Sequence, residues 1–272
     1  MICCVSQSTT MGATFLEDLV SYSRAGCPDI ELWLPKLEEQ LKTADLDALK
    51  QSIAEHQVAF PVAALQGGLF SPVEAMRREA WGLFEQRLSL LAALGVETFV
   101  ISLDFAGEWA SEHVRDVVSL LREAAEKAAA KRIRLAVEFQ GRAAFCNNVE
   151  STVALISEVD RPNVGICLDM FHFICGPSKP QDLALLTTEN LFHVQLSDLA
   201  GVLRELARDT DRILPGEGDY DPMPLVNRLR DIGYQGTVSV ELFNPVLWNI
   251  DPLQVVDAAI TSLRKVLGLA SM

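Results

Sequence analysis

Three carboxylates lie in stretches of sequence where an unneutralised charge is costly. Glu138 falls in Arg-Leu-Ala-Val-Glu-Phe, Asp169 in Gly-Ile-Cys-Leu-Asp-Met-Phe-His, and Glu241 in Thr-Val-Ser-Val-Glu-Leu-Phe-Asn. A carboxylate embedded in an apolar run must be protonated, paired with a base or bound to a cation. For any one of them a buried ion pair with a nearby Lys or Arg is a sufficient account. Three at equivalent strand ends, in strands that supply few basic partners, point instead to a divalent cation. A fourth donor comes from Phe-His-Val-Gln-Leu-Ser-Asp, where His193, Gln195 and Ser197 share one face at the strand period of two. The Gln195 amide oxygen would complete an oxygen-rich set suited to manganese, magnesium or cobalt, with zinc a further candidate. His193 would lie one layer deeper and reads as a hydrogen-bonded core histidine.

Two more side chains have types suited to handling a substrate. His172 follows Asp169 by three residues, just past a strand end, where an imidazole can contact substrate and move a proton near neutral pH. Arg212 opens the Gly-rich segment Arg-Ile-Leu-Pro-Gly-Glu-Gly-Asp-Tyr-Asp, from which it could meet an anionic or hydroxyl-rich ligand. Glu217 in that segment reads as a turn stabiliser. Glu31 reads as a structural residue low in a pocket.

The elements that must position these groups alternate along the chain. Short apolar, β-branched runs are expected as strands over 2–6, 30–34, 58–65, 98–103, 133–139, 164–169, 192–197 and 237–243. Amphipathic segments over 14–24, 46–56, 72–94, 113–131, 149–159, 180–186, 223–232 and 252–267 are expected as helices, one after each strand. Gly95, Gly233 and Gly236 stand where left-handed helix caps are expected. Eight strand–helix units in 272 residues predict an α/β chain, a single (β/α)8 TIM barrel spanning 1–272, whose active site lies at the C-terminal strand ends. An open doubly wound sheet would carry a Gly-rich phosphate turn after its first strand, and the stretch from Ser6 to Thr14 has only Gly12.

Composition narrows the partners. With 49% hydrophobic and 22% charged residues the chain can bury a large core, and its net charge of −14 opposes a phosphodiester backbone. No nucleic acid and no membrane are expected as partners, since no window approaches a spanning apolar run and no leader precedes the first strand. The six cysteines form no CxxC pair, which suits free thiols and a cytoplasmic location.

Taken together, Ala-Val-Glu138-Phe, Leu-Asp169-Met-Phe-His172, His193-Val-Gln195-Leu-Ser-Asp198, Leu-Pro215-Gly-Glu-Gly218-Asp and Val-Glu241-Leu-Phe-Asn244 make the chain resemble the xylose-isomerase-like TIM-barrel superfamily. That superfamily includes sugar isomerases and epimerases, inosose and 3-dehydroshikimate dehydratases, and endonuclease IV. The resemblance implies one divalent metal on Glu138, Asp169, Gln195 and Glu241, with His172 and Arg212 contacting a small polyhydroxylated substrate. It also leaves room for a homo-oligomer. Many sugar epimerases of this kind read His-x-His where this chain has His193-Val-Gln195, and many carry an acid where it has Ala144. A similar Gln, with a similar Pro-Gly-x-Gly-Asp loop, occurs in a group of 3-dehydroshikimate dehydratases. Against that lyase, the segment Gln66-Gly-Gly lacks a basic residue for a carboxylate substrate.

The expected chemistry is proton removal beside a metal-polarised carbonyl, with Glu138, Glu241 and His172 as the catalytic groups. Proton return gives an isomerase or epimerase. Loss of hydroxide gives a dehydratase-type lyase. A non-catalytic ligand-binding barrel is the third reading. An endonuclease would need a histidine-rich multi-metal cluster, and the chain has four histidines.

Overall fold

The computed structural model describes residues 1–105 and 111–269. Eight strands, β1 (Ile2–Ser6), β2 (Asp29–Trp33), β3 (Ala59–Gln66), β4 (Thr98–Leu103), β5 (Arg134–Phe139), β6 (Val164–Asp169), β7 (Leu191–Leu196) and β8 (Thr237–Val240), follow one another in chain order around a closed barrel. The helices between them are α1 (Phe15–Arg24), α2 (Leu34–Gln40), α3 (Leu46–Glu55), α4 (Glu74–Ala93), α5 (Ser111–Ala130), α6 (Val149–Val159), α7 (Met170–Cys175), α8 (Met223–Asp231) and α9 (Pro252–Leu267). Every residue of β4, β6, β7 and β8 is buried, as befits strands covered on both faces.

The chain forms two compact halves. In the half made of Met1–Ala63 and Gln195–Met272, β1 pairs in parallel with β2 and β8, through Ser6 with Glu31 and Val5 with Val240. In the half made of Ala64–Val194, β5 pairs in parallel with β4 and β6, through Glu138 with Ser102 and with Cys167.

Local chemistry accounts for most boundaries. Thr14 accepts the Glu17 amide while Glu17 reaches back to Thr14, closing a capping box that starts α1. Asp45, Asn148 and Asp251 cap α3, α6 and α9 in the same sense. Gly95 and Gly233 take positive φ after α4 and α8, as expected, but Gly236 is not among the positive-φ glycines. Its constraint is space: a Cβ there would meet the Tyr234 hydroxyl at 2.4 Å.

Four expectations about elements need correction. A second helix, α2, precedes α3 after β2, because Pro35 suits a first helical turn and Asp45 restarts the helix after Leu41. The segment after β6 is helical earlier than expected: Asp169 accepts the Phe171 amide and starts α7 directly at the strand end. The apolar Met-Phe-His-Phe-Ile-Cys run hides that start. The expected helix over 180–186 is a 3-10 turn, Pro180–Leu185. Finally, β8 ends at Val240 rather than at residue 243, because the Leu242 amide goes to the Thr9 hydroxyl at 3.1 Å instead of to a neighbouring strand.

None of the six cysteines is joined in a disulfide. Among the described residues no helix is long and apolar enough to cross a membrane.

Candidate functional site

In the half made of Ala64–Val194, the fold gathers Glu138, Asp169 and His172. Glu138 is the fifth residue of β5 and Asp169 the last of β6. His172 lies one helical turn beyond Asp169 on α7, and residues three apart in a helix share a face. Its Nε2 is 3.7 Å from Asp169 Oδ2 and 3.8 Å from Glu138 Oε1. All three are largely buried, and one potential ligand atom from each lies within 4.8 Å of the others. Two oxygens and one imidazole nitrogen at that spacing form a donor set that suits a divalent ion.

The backbone makes this approach possible. A Cβ at Gly141 would meet the His172 carbonyl at 2.6 Å, so the turn after β5 can lie against α7 only without a side chain there. The Gly176 amide also donates to the His172 carbonyl, closing the end of α7. Gln140 donates from Nε2 to Glu138 Oε2 at 3.0 Å, a support that the sequence pattern did not single out. His193 is fully buried on β7, in keeping with a core role.

The half made of Met1–Ala63 and Gln195–Met272 holds the remaining predicted residues. Glu241, just past β8, continues the ladder through its amide to the Leu196 carbonyl at 3.2 Å. Its Oε2 accepts from Arg212 Nη1 at 2.9 Å, while Arg212 Nη2 donates to Asp209 at 2.7 Å. The Arg212 guanidinium also lies 5.4 Å from the Phe243 ring centre, and its side chain is 1% exposed. Arg212 is thus a buried clamp on Glu241. The ion pair that would account for a single buried carboxylate is present at Glu241, through one of its two oxygens.

Gln195 is fully enclosed on β7 and donates from Nε2 to Glu31 Oε1 at 2.7 Å. Glu31 also accepts from the Ser239 hydroxyl. Ser197, two residues on from Gln195, is buried and its Oγ has no hydrogen-bond partner among the described residues.

The Gly-rich loop is held by a residue not expected to hold it. Asp198 accepts backbone amides from Leu199, Gly216, Gly218 and Tyr220 at 2.8–3.2 Å. Glu217 is exposed and meets Lys265 at 3.5 Å, and the turn that it was expected to stabilise is held by Asp198 instead. The pattern Ser-Asp before a Gly-rich stretch was the available signal, since Asp readily accepts turn amides.

The same half carries a buried polar network that the sequence reading missed. Lys36 donates to Asp18 at 2.5 Å and to the Thr10 carbonyl at 2.6 Å, and Gln7 donates to Asp18 at 3.0 Å. Burial pushes the Asp18 carboxyl up to about 6, with Lys36 acting in the opposite direction. Burial likewise pulls the Lys36 ammonium down, against the pull of Asp18. Lys36 also lines a cavity of about 600 Å³ together with Gly12, Phe15, Trp33 and Pro35. None of the six predicted site residues lines that cavity.

In the other half, Arg87 from α4 donates to the Leu65 carbonyl and to Gln66 Oε1, at 3.2 and 3.0 Å. The segment after β3 therefore has a basic neighbour that its own sequence lacks, held by carbonyl oxygens.

Comparison with known proteins agrees with this architecture. A family model described as xylose isomerase-like TIM barrel matches residues 21–266. An inosose isomerase of Halalkalibacterium halodurans is 28% identical over 263 residues, covering 94% of this chain and 93% of that protein. A 3-dehydroshikimate dehydratase of Pseudomonas aeruginosa is 30% identical over 182 residues, 64% of this chain but 28% of that longer protein. A crystal structure of an IOLI protein with a binding zinc atom superposes with a TM-score of 0.93 at 26% identity, over 100% of both chains.

Proposed function

We propose that this chain, which belongs to the xylose isomerase-like TIM-barrel family, is a divalent-metal-dependent isomerase or epimerase of a small sugar-like ketone, an inositol ketone first of all. The observation that carries the reading is the buried pair of carboxylates Glu138 and Asp169, gathered with the His172 imidazole within 4.8 Å, where the acids can hold a cation and the imidazole can face its ligand. In this proposal Glu138, Asp169, Gln195 and Glu241 supply the metal donors. Bound there, a divalent ion would polarise a substrate carbonyl and lower the acidity barrier of the adjacent carbon. The oxygen-rich donors favour manganese, magnesium or cobalt, and the zinc atom in the similar IOLI protein makes zinc the alternative.

The chain's own groups do the proton work. Glu138 or Glu241 accepts the carbon-bound proton, leaving an enediolate, and the same or the other carboxylate returns it to a neighbouring carbon or face. His172, beside both Glu138 and Asp169, contacts the substrate and passes a proton to or from its oxygen. Arg212 holds Glu241 in one orientation through the 2.9 Å contact. The buried Ser197 hydroxyl is suited to a polar substrate group or a water.

The second reading is a 3-dehydroshikimate-dehydratase-type lyase, favoured by Gln195 with the Pro215-Gly-Glu-Gly-Asp loop and by the similarity to the Pseudomonas protein. Proton NMR of the magnesium-loaded enzyme in deuterated water separates the two. Deuterium entering beside the carbonyl of an inositol ketone, or a new ketone signal, supports the isomerase. A vinyl or aromatic product from 3-dehydroshikimate supports the lyase. Silence with both, repeated with manganese and zinc in an optical assay, overturns the enzymatic reading in favour of a ligand-binding barrel.

A further inference from the structure

Glu31 places a carboxyl group out of reach of solvent. It is 0% exposed at the middle of β2, level with Ser6 on β1. Enclosing a carboxylate is costly unless strong donors surround it, and a leucine or a glutamine would fill similar space without that cost. Two of its donors are the Gln195 amide nitrogen, at 2.7 Å, and the Ser239 hydroxyl.

The chemistry of the pair decides which way the Gln195 amide faces. An ionised carboxylate only accepts hydrogen bonds, whereas a glutamine amide has a donating end and an accepting end. Against Glu31 the amide must present its NH2. Its oxygen, on the other arm of the same planar carbon, is turned away from Glu31. A glutamine in polar but neutral surroundings has no such preference and can flip, and a flipped amide would offer a cation two N–H groups instead of a lone pair.

We propose that Glu31 is a positioning residue: it locks the Gln195 amide so that oxygen, and not nitrogen, is offered to the metal. This rests on the reading of Gln195 as a metal donor. It assigns Glu31 the part that a carboxylate plays behind a metal-bound histidine, where it fixes ring orientation and raises donor strength. Ser239 then acts one step further back, steadying the second oxygen of Glu31.

The test is manganese affinity of the full chain, by calorimetry on chelator-stripped protein, for Gln195→Ala, Glu31→Gln and the double variant. The expected result is a tenfold or greater loss for Gln195→Ala and a loss of about tenfold for Glu31→Gln, which permits both amide orientations. The double variant is expected to bind as Gln195→Ala does, because Glu31 acts only through that amide; a merely structural role would add a further loss. Should Glu31→Gln fail to fold, Ser239→Ala loosens the same carboxylate by one hydrogen bond, with a loss of about threefold expected. Unchanged affinity in Gln195→Ala overturns the four-donor reading itself. Weakened binding in Gln195→Ala with wild-type binding in Glu31→Gln, or in its stand-in, overturns the role of Glu31 alone. Losses that simply add in the double variant overturn it too.

Discussion

The two halves of the chain treat buried carboxylates differently. In the half made of Met1–Ala63 and Gln195–Met272, acids are met by donors from the protein: Asp18 by Lys36, Glu241 by Arg212, Glu31 by Gln195 and Ser239, Asp198 by four backbone amides. In the half made of Ala64–Val194, Glu138 and Asp169 also accept hydrogen bonds, from Gln140 and the Phe171 amide, but they sit near one another around an imidazole within 4.8 Å. Like charges gathered in a dry site call for a proton or a cation, whereas an acid met by a lysine or arginine has its counter-charge within the protein. The first pattern therefore holds Asp18, Glu31 and Asp198 in place and orients Glu241 for its proposed part, and the second is where acids are gathered for chemistry.

Exchanging an acid of the second kind should hurt activity most. Asp169→Asn keeps shape and the cap on α7 but removes a charge from the cluster, and kcat/KM with the active substrate is expected to fall about a thousandfold or more. Manganese affinity should fall in parallel while the circular dichroism spectrum stays unchanged. A variant within tenfold of wild type would break the contrast between the halves.

An acid of the first kind should instead govern stability. Asp18→Ala leaves the buried Lys36 ammonium without its carboxylate, and urea unfolding at pH 7 is expected to show a loss of about 3 kcal/mol. Any activity per folded molecule should survive, since Asp18 touches none of the six site residues in the proposal. The pH dependence sharpens this. The folded protein holds the Asp18 proton up to about 6, against an ordinary value of 3.8, so the folded state binds more proton between those values. The contribution of this group is complete below pH 3.8 and is lost as pH rises through 6. Urea midpoints of the wild type and the Ala variant at pH 4, 5, 6 and 7 should therefore draw further apart toward the acid end, where the contribution of Asp18 is complete.

The smallest effect is expected at a neutral support. Gln140→Leu removes the 3.0 Å hydrogen bond to Glu138 and should lower manganese affinity about fivefold, with little change in the unfolding midpoint. A larger loss of stability than of affinity would assign Gln140 to the scaffold.

Much of this molecule was legible from residue order because parallel strands and their crossover helices have local signatures. β1, β4 and β6 fall where the apolar runs end, and α6 and α9 where the Asn148 and Asp251 caps and the Gly268 stop are written. Acids at strand ends pointed to the cluster of Glu138 and Asp169 for the same reason, since period-two burial makes a charged residue conspicuous. Residue order also carried the spacing from Asp169 to His172. It did not carry α7, whose start depends on a side chain capping its own strand end, nor the end of β8, which depends on the Thr9 hydroxyl reaching Leu242 from far away in the chain.

Only the tertiary structure decided which acids are answered by the protein. Arg212 lies 29 residues from Glu241, Gln195 lies 164 from Glu31 and Ser239 lies 208 from it. Pattern and period report the neighbours of a residue along an element, while the state of a buried charge depends on donors brought from elsewhere in the fold.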